Sequence, residues 1–139
     1  MKKTIFSTML IVVCALFCAC SSFHEPQCMK ERAILLDVYN KTWHNRSDEE
    51  IGLSFLFGQF GPELSDEEIL ENIHVINWEH NQNTQGDSYE GYFVTYSVNI
   101  DDDVLYSLVD LVEFENGRYE WTVLETSRSL SAIQNLLIH

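Results

Sequence analysis

The sequence predicts an α+β fold: an N-terminal helix and short helices packed on a four-stranded antiparallel meander sheet, with a C-terminal helix. Three observations predict it. Apolar residues recur at helical spacing up to about residue 72, and from there the period changes to two. An Asn-Gly pair, Asn116-Gly117, stands between two alternating segments, which is the signature of a β-hairpin. A last apolar stripe at helical spacing then closes the chain.

Each element has its own warrant. Pro26 suits a first helical turn, and Met29, Leu36, Tyr39 and Trp43, with Cys28 and Leu35 beside them, predict a helix through about Thr42. The string SDEEI occurs twice, at residues 47–51 and 65–69. Serine followed three residues on by glutamate is a capping box, so two helix starts are expected. Between them Leu53, Phe55, Leu56, Phe57 and Phe60 form an apolar cluster punctuated by Gly52, Gly58 and Gly61-Pro62. Residues 73–79 read as a strand followed by a polar loop over residues 81–87. Tyr92, Val94, Tyr96, Val98 and Ile100 alternate along the second strand. Residues 104–115 are apolar on both faces at their centre, with Tyr106, Leu108, Val112 and Phe114 expected on the buried face and Asp110 among them. Tyr119, Trp121 and Val123 alternate along the fourth strand, joined to the third by a two-residue turn within residues 115–118. Leu130, Ile133, Leu136 and Leu137 predict the terminal helix, capped by Ser127 or Ser129. This order is similar in architecture to the cystatin-like and nuclear-transport-factor-like folds, where a helix lies in a curled meander. The likeness rests on no shared motif and carries no functional residue, and the terminal helix departs from it.

The N-terminus has a separate logic. Lys2 and Lys3 precede an uncharged run over residues 5–17, too short for a spanning helix of roughly 20 residues. Phe17-Cys18-Ala19-Cys20 follows. It resembles the bacterial lipoprotein lipobox, with Phe17 at the position most often leucine and Cys18 at one most often serine or alanine. The resemblance implies removal of residues 1–19 and acylation of Cys20, a short tether over residues 20–25 and one domain over residues 26–139. Ser21, where an aspartate retains many such proteins at the inner membrane, implies an outer-membrane address. An ordinary secretory signal cut near Ala19 is the alternative. With Cys14 and Cys18 removed and Cys20 acylated, Cys28 is the one remaining thiol, and no internal disulfide is expected.

All 22 acidic residues follow the signal, against six basic ones, a balance of −16. Such a field repels phosphate backbones and anionic headgroups, so no nucleic-acid binding is expected and membrane attachment falls to the lipid. No metal site is expected. His74 and His80, read as facing one side of the first strand, stand roughly 20 Å apart. Asn99, Asp101 and Asp103 open like a calcium loop, but Val104 replaces the glycine that such a loop needs. No phosphate-cradling glycine loop, GxSxG or Cys–His motif is present, and neither cofactor nor enzymatic activity is expected.

The expected role is protein binding. An acidic rim at Asp101, Asp102 and Asp103 and an apolar centre at Phe55, Phe57 and Phe60 are the candidate contacts for a cationic partner. Small acidic lipoproteins that neutralise cationic toxins and hydrolases (immunity proteins and inhibitors) are similar in size, charge and anchoring. Two alternatives stand beside this: an accessory subunit of an envelope complex, and a ligand pocket lined by Tyr92, Tyr96, Tyr119 and Trp121. Stable attachment needs several acyl chains, so Cys20→Ser should yield an uncleaved or soluble form in membrane fractionation. Unchanged processing and membrane retention would contradict the lipid assignment.

Overall fold

The computed structural model describes residues 24–46 and 63–138. Four strands, β1 (Ile73–Gly86), β2 (Tyr89–Ile100), β3 (Asp103–Phe114) and β4 (Tyr119–Ser127), form one sheet in the order β1-β2-β3-β4. Every neighbouring pair is antiparallel. A 3-10 turn (Gln27–Lys30), α1 (Arg32–His44) and α2 (Asp66–Glu71) precede the sheet, and α3 (Leu130–Asn135) follows it. The α+β class and the meander are those that the sequence predicts.

The core forms on one face of β2. Tyr92, Val94, Tyr96, Val98 and Ile100 are all buried, and their partners across β3 are Leu111, Val109, Ser107 and Leu105 for the first four. Onto this face α1 lays Ile34, Val38, Tyr39 and Thr42, a stripe at i, i+4, i+5 and i+8. Leu35, Leu36 and Trp43 pack only partly against it. The N-terminal helix is not continuous from Pro26. Glu31 is extended (φ −63°, ψ 135°) and separates the 3-10 turn from α1. That break lets Cys28 and Met29 reach the sheet, where both are buried.

Buried hydroxyls in this layer are satisfied in a chain. Thr42 Oγ1 donates to the Val38 carbonyl at 2.7 Å and lies 2.6 Å from Ser107 Oγ. Ser107 Oγ lies 3.0 Å from Thr126 Oγ1. Each hydroxyl has one proton, so Thr126 donates to Ser107 and Ser107 donates to Thr42. The chain ties α1 to β3 and β4 without an orphaned donor.

Four expectations change. The face of β3 under α1 carries Leu105, Ser107, Val109 and Leu111; Asp110 is on the opposite face, half-buried, where Asn81 Nδ2 donates to it at 3.2 Å. Strand β1 does not end near Glu79 but runs to Gly86, because residues 81–84 bulge opposite Gly91 and pairing resumes at Gln85↔Glu90. A second bulge turns Ile76 outward, 46% exposed. It inverts the alternation, so His74 pairs with Ser97 and His80 with Tyr92, on opposite faces. The Asn-Gly hairpin has three loop residues rather than two, since Phe114 N–H donates to the Arg118 carbonyl and Gly117 N–H to the Phe114 carbonyl. Gly117 takes the left-handed conformation (φ 83°) that such a loop requires.

The predicted caps are present where described. Ser65 and Glu68 make a reciprocal capping box at α2, and Ser129 Oγ accepts from the Ala132 amide at α3. The box at Ser47 lies outside the described residues. Helix α3 buries Ile133 completely and leaves Leu136 exposed.

The β1 bulge depends on Gly91. A Cβ there would lie 2.5 Å from Thr84 Cβ and 2.6 Å from the Thr84 carbonyl oxygen. Gly91→Ala should therefore destabilise the domain by about 1–3 kcal/mol in urea unfolding, the range for overpacked sites. A change within error would show that the bulge yields freely.

Candidate functional site

The turns that end β1 and β3 lie at the same end of the sheet as residues 26–31, and together they enclose an open cleft of ≈ 450 Å³. Five carboxylates line it: Glu31, Asp87, Glu90, Glu113 and Glu115. Tyr89, Phe114 and Tyr119 supply its aromatic walls, with the Tyr89 and Phe114 rings 5.8 Å apart.

At its centre two glutamates face each other. Glu90 and Glu113 are direct partners across β2 and β3. Side chains so paired share a face with Cβ atoms about 5 Å apart, and like charges there are destabilising. Neutral donors, not cations, hold them. Glu113 Oε1 accepts from the backbone amides of Gln27 at 3.1 Å and Cys28 at 3.3 Å. Glu90 Oε2 accepts from the Tyr92 hydroxyl at 2.5 Å. Burial, then this bond to Glu90, raises the Tyr92 phenol above its ordinary range. Burial, reinforced by Glu113, pushes the Cys28 thiol up to about 12. Cys28 is free, buried and protonated at neutral pH, a packing residue rather than a nucleophile.

Five of the six basic residues among those described pair elsewhere. Arg32 bridges Asp66 and Glu67 of α2, Lys41 pairs with Asp37, and Arg118 pairs with Glu120 while stacking on Phe114. Arg46 reaches Asp101 at 3.7 Å and Arg128 reaches Asp103 at 3.2 Å. None of these ion pairs includes a cleft carboxylate.

Those last two pairs bear on the aspartate tip. Asp101, Asp102 and Asp103 are exposed at the β2–β3 turn, at the far end of 12-residue strands and so roughly 40 Å from the cleft. Asp101 occupies the left-handed region (φ 52°), which aspartate tolerates. With Asp101 and Asp103 each facing an arginine, the tip is less anionic than its sequence. Of the other candidates, Cys20, Phe55, Phe57 and Phe60 lie outside the described residues. Tyr92 and Tyr96 are core residues, 1% and 0% exposed, whereas Tyr119 and Trp121 are half-buried. Trp121 Nε1 donates to Asp37 at 2.7 Å. No group of three or more His, Cys, Asp or Glu among the described residues is arranged to hold a metal.

Sequence reading missed Glu90 and Glu113 because each is unremarkable alone. Their juxtaposition depends on the register across β2 and β3. The turn Asp101-Asp102, flanked by Ile100↔Asp103, sets that register and was the available signal. Compared with known proteins, the chain matches no family model, curated protein or solved structure.

The Cys28 shift has a thermodynamic consequence. The unfolded thiol ionises near 9.0 while the native one waits until about 12. Its contribution to stability is complete below pH 9 and falls as pH rises through that window, by up to about 1.4 kcal/mol per unit. Tyr39, Tyr92 and Tyr96 are raised too, so the decline should steepen above pH 10. Urea midpoints measured from pH 8 to 10 should fall in the wild type and fall less in Cys28→Ala. Parallel slopes would contradict the assignment.

Proposed function

We propose that this protein is an envelope lipoprotein, held to the outer membrane by acyl chains on Cys20, whose acidic domain captures a cationic protein. An inhibitor or immunity-type role against a cationic toxin or hydrolase is the form of that reading which size and charge support. The domain acts by binding, without catalysis of its own. Among the described residues no helix is long and apolar enough to cross a membrane, and in this reading the lipid alone makes the attachment.

One observation carries the reading: Glu90 and Glu113 oppose each other in a cleft of five carboxylates, none of them in an ion pair with the basic residues described. A like-charge pair kept at a sheet position costs stability unless a cation arrives to relieve it. An arginine or lysine from a partner supplies that cation. Tyr89, Phe114 and Tyr119 then offer the apolar contact that gives specificity beyond electrostatic capture. The aspartate tip remains a steering element, since Arg46 and Arg128 offset part of its charge.

A second reading, an accessory subunit of an envelope complex, draws on Ile76 and Leu124. These aliphatics sit at the bulges of the two edge strands and are 46% and 49% exposed.

The two readings diverge under salt. A partner recovered from envelope extract should bind Glu31→Gln/Glu90→Gln/Glu115→Gln at least tenfold more weakly than wild type, and lose affinity as salt rises. Asp101→Asn/Asp102→Asn/Asp103→Asn should bind within about threefold of wild type, the loss being in association rate. A partner held equally by all three forms in high salt would replace the first reading by the second.

A further inference from the structure

Glu113 belongs to two structures at once. It faces Glu90 inside the cleft, and it clamps the segment of residues 26–30 to the sheet. Its Oε1 takes the amides of Gln27 and Cys28, and its Oε2 stands 3.4 Å from the Gln27 amide. Gln27 and Cys28 themselves form one wall of the cleft. A second side-chain tie of this strap is the Tyr96 hydroxyl, which donates to the Met29 carbonyl at 2.7 Å from a fully buried position.

We propose that Glu113 is the release latch of this strap: a cation that engages the carboxylate inside the cleft withdraws it from the Gln27 and Cys28 amides, so that occupancy of the cleft loosens the strap. The inference rests on the reading of the cleft as a cation-binding face. Its physical basis is competition for one acceptor. A guanidinium binds a carboxylate through both oxygens in a fixed fork, and that geometry conflicts with two backbone amides converging on Oε1. The Tyr96–Met29 bond lies outside the cleft and is untouched, so the strap pivots at Met29 and the sheet stays folded. Residues 24 and 25, both exposed, lead out of the strap toward the N-terminus, which makes the latch a link between the bound partner and the tether.

Cys28 is the reporter, because it is 4% exposed while the strap is closed. The experiment uses the full-length protein with a hexa-arginine peptide as probe. Peptide binding is followed by fluorescence anisotropy, and maleimide labelling of Cys28 is resolved by peptide mass. Saturating peptide should speed Cys28 labelling at least tenfold in the wild type, together with amide exchange at Gln27 and Cys28, while the amides of Val94 and Val98 keep their protection. Without peptide, labelling should rise in the order wild type, Glu113→Gln, Glu113→Ala, since glutamine keeps a neutral acceptor. Peptide that binds and leaves Cys28 labelling unchanged, or that lowers protection in β2 equally, overturns the latch and spares the cleft reading. Peptide that fails to bind overturns both.

Discussion

The Tyr96 hydroxyl, buried beneath the 3-10 turn, donates to the Met29 carbonyl, and the architecture of the cleft end depends on that bond. A phenol sealed in an apolar layer needs a partner, and an unmet one costs about 1–3 kcal/mol. No partner comes from the sheet, so the chain folds residues 26–30 across it. The extended Glu31 is the backbone's answer: it ends the turn, lets Cys28 and Met29 descend, and restarts the helix as α1. Once the strap is placed, the Gln27 and Cys28 amides point at Glu113 and the cleft has its second wall. Packing thus precedes electrostatics in this domain.

Charge then decides what the surface can do. Six basic residues cannot offset 22 acidic ones, and their positions determine where the excess gathers. Arg32 ties α1 to α2 and Lys41 pairs with Asp37 within α1, while Arg46 and Arg128 converge on the aspartate turn. At the opposite end Arg118 pairs with Glu120, while Glu90 and Glu113 accept hydrogen bonds from neutral donors. Exposed pairs such as Arg32–Asp66 add at most about 1 kcal/mol each. Their larger effect is to leave the negative potential uneven along the sheet.

Much of this was legible in the sequence, and the failures share a cause. Period-two alternation located β2 and β4, an apolar run between two turns located β3, and the Ser65 capping box located α2. Hydrophobic period cannot see a bulge. The extra residue Ile76 inverted the parity of β1 and separated His74 from His80, and residues 81–84 passed for a loop because their pairing is interrupted rather than ended. Strand β3 is apolar on both faces, so its alternation could not tell which face meets α1; the Ser107–Thr42 contact settles it. The aspartate tip was conspicuous as a run in the sequence, yet arginines distant in sequence offset it. Glu90 and Glu113 were silent for the converse reason: proximity across strands leaves no local trace.

The central claim is that negative potential concentrates where Glu90 meets Glu113 and that a cation binds there. Amide shifts of the isotopically labelled protein, followed as a lysine–arginine peptide is titrated at low salt, test it most directly. The account predicts that the largest changes fall on Glu31, Tyr89, Glu90 and Gly117, with smaller ones at Asp102, and that both fade as salt is added. Changes largest at residues 101–103, or spread evenly over the acidic surface, would contradict it.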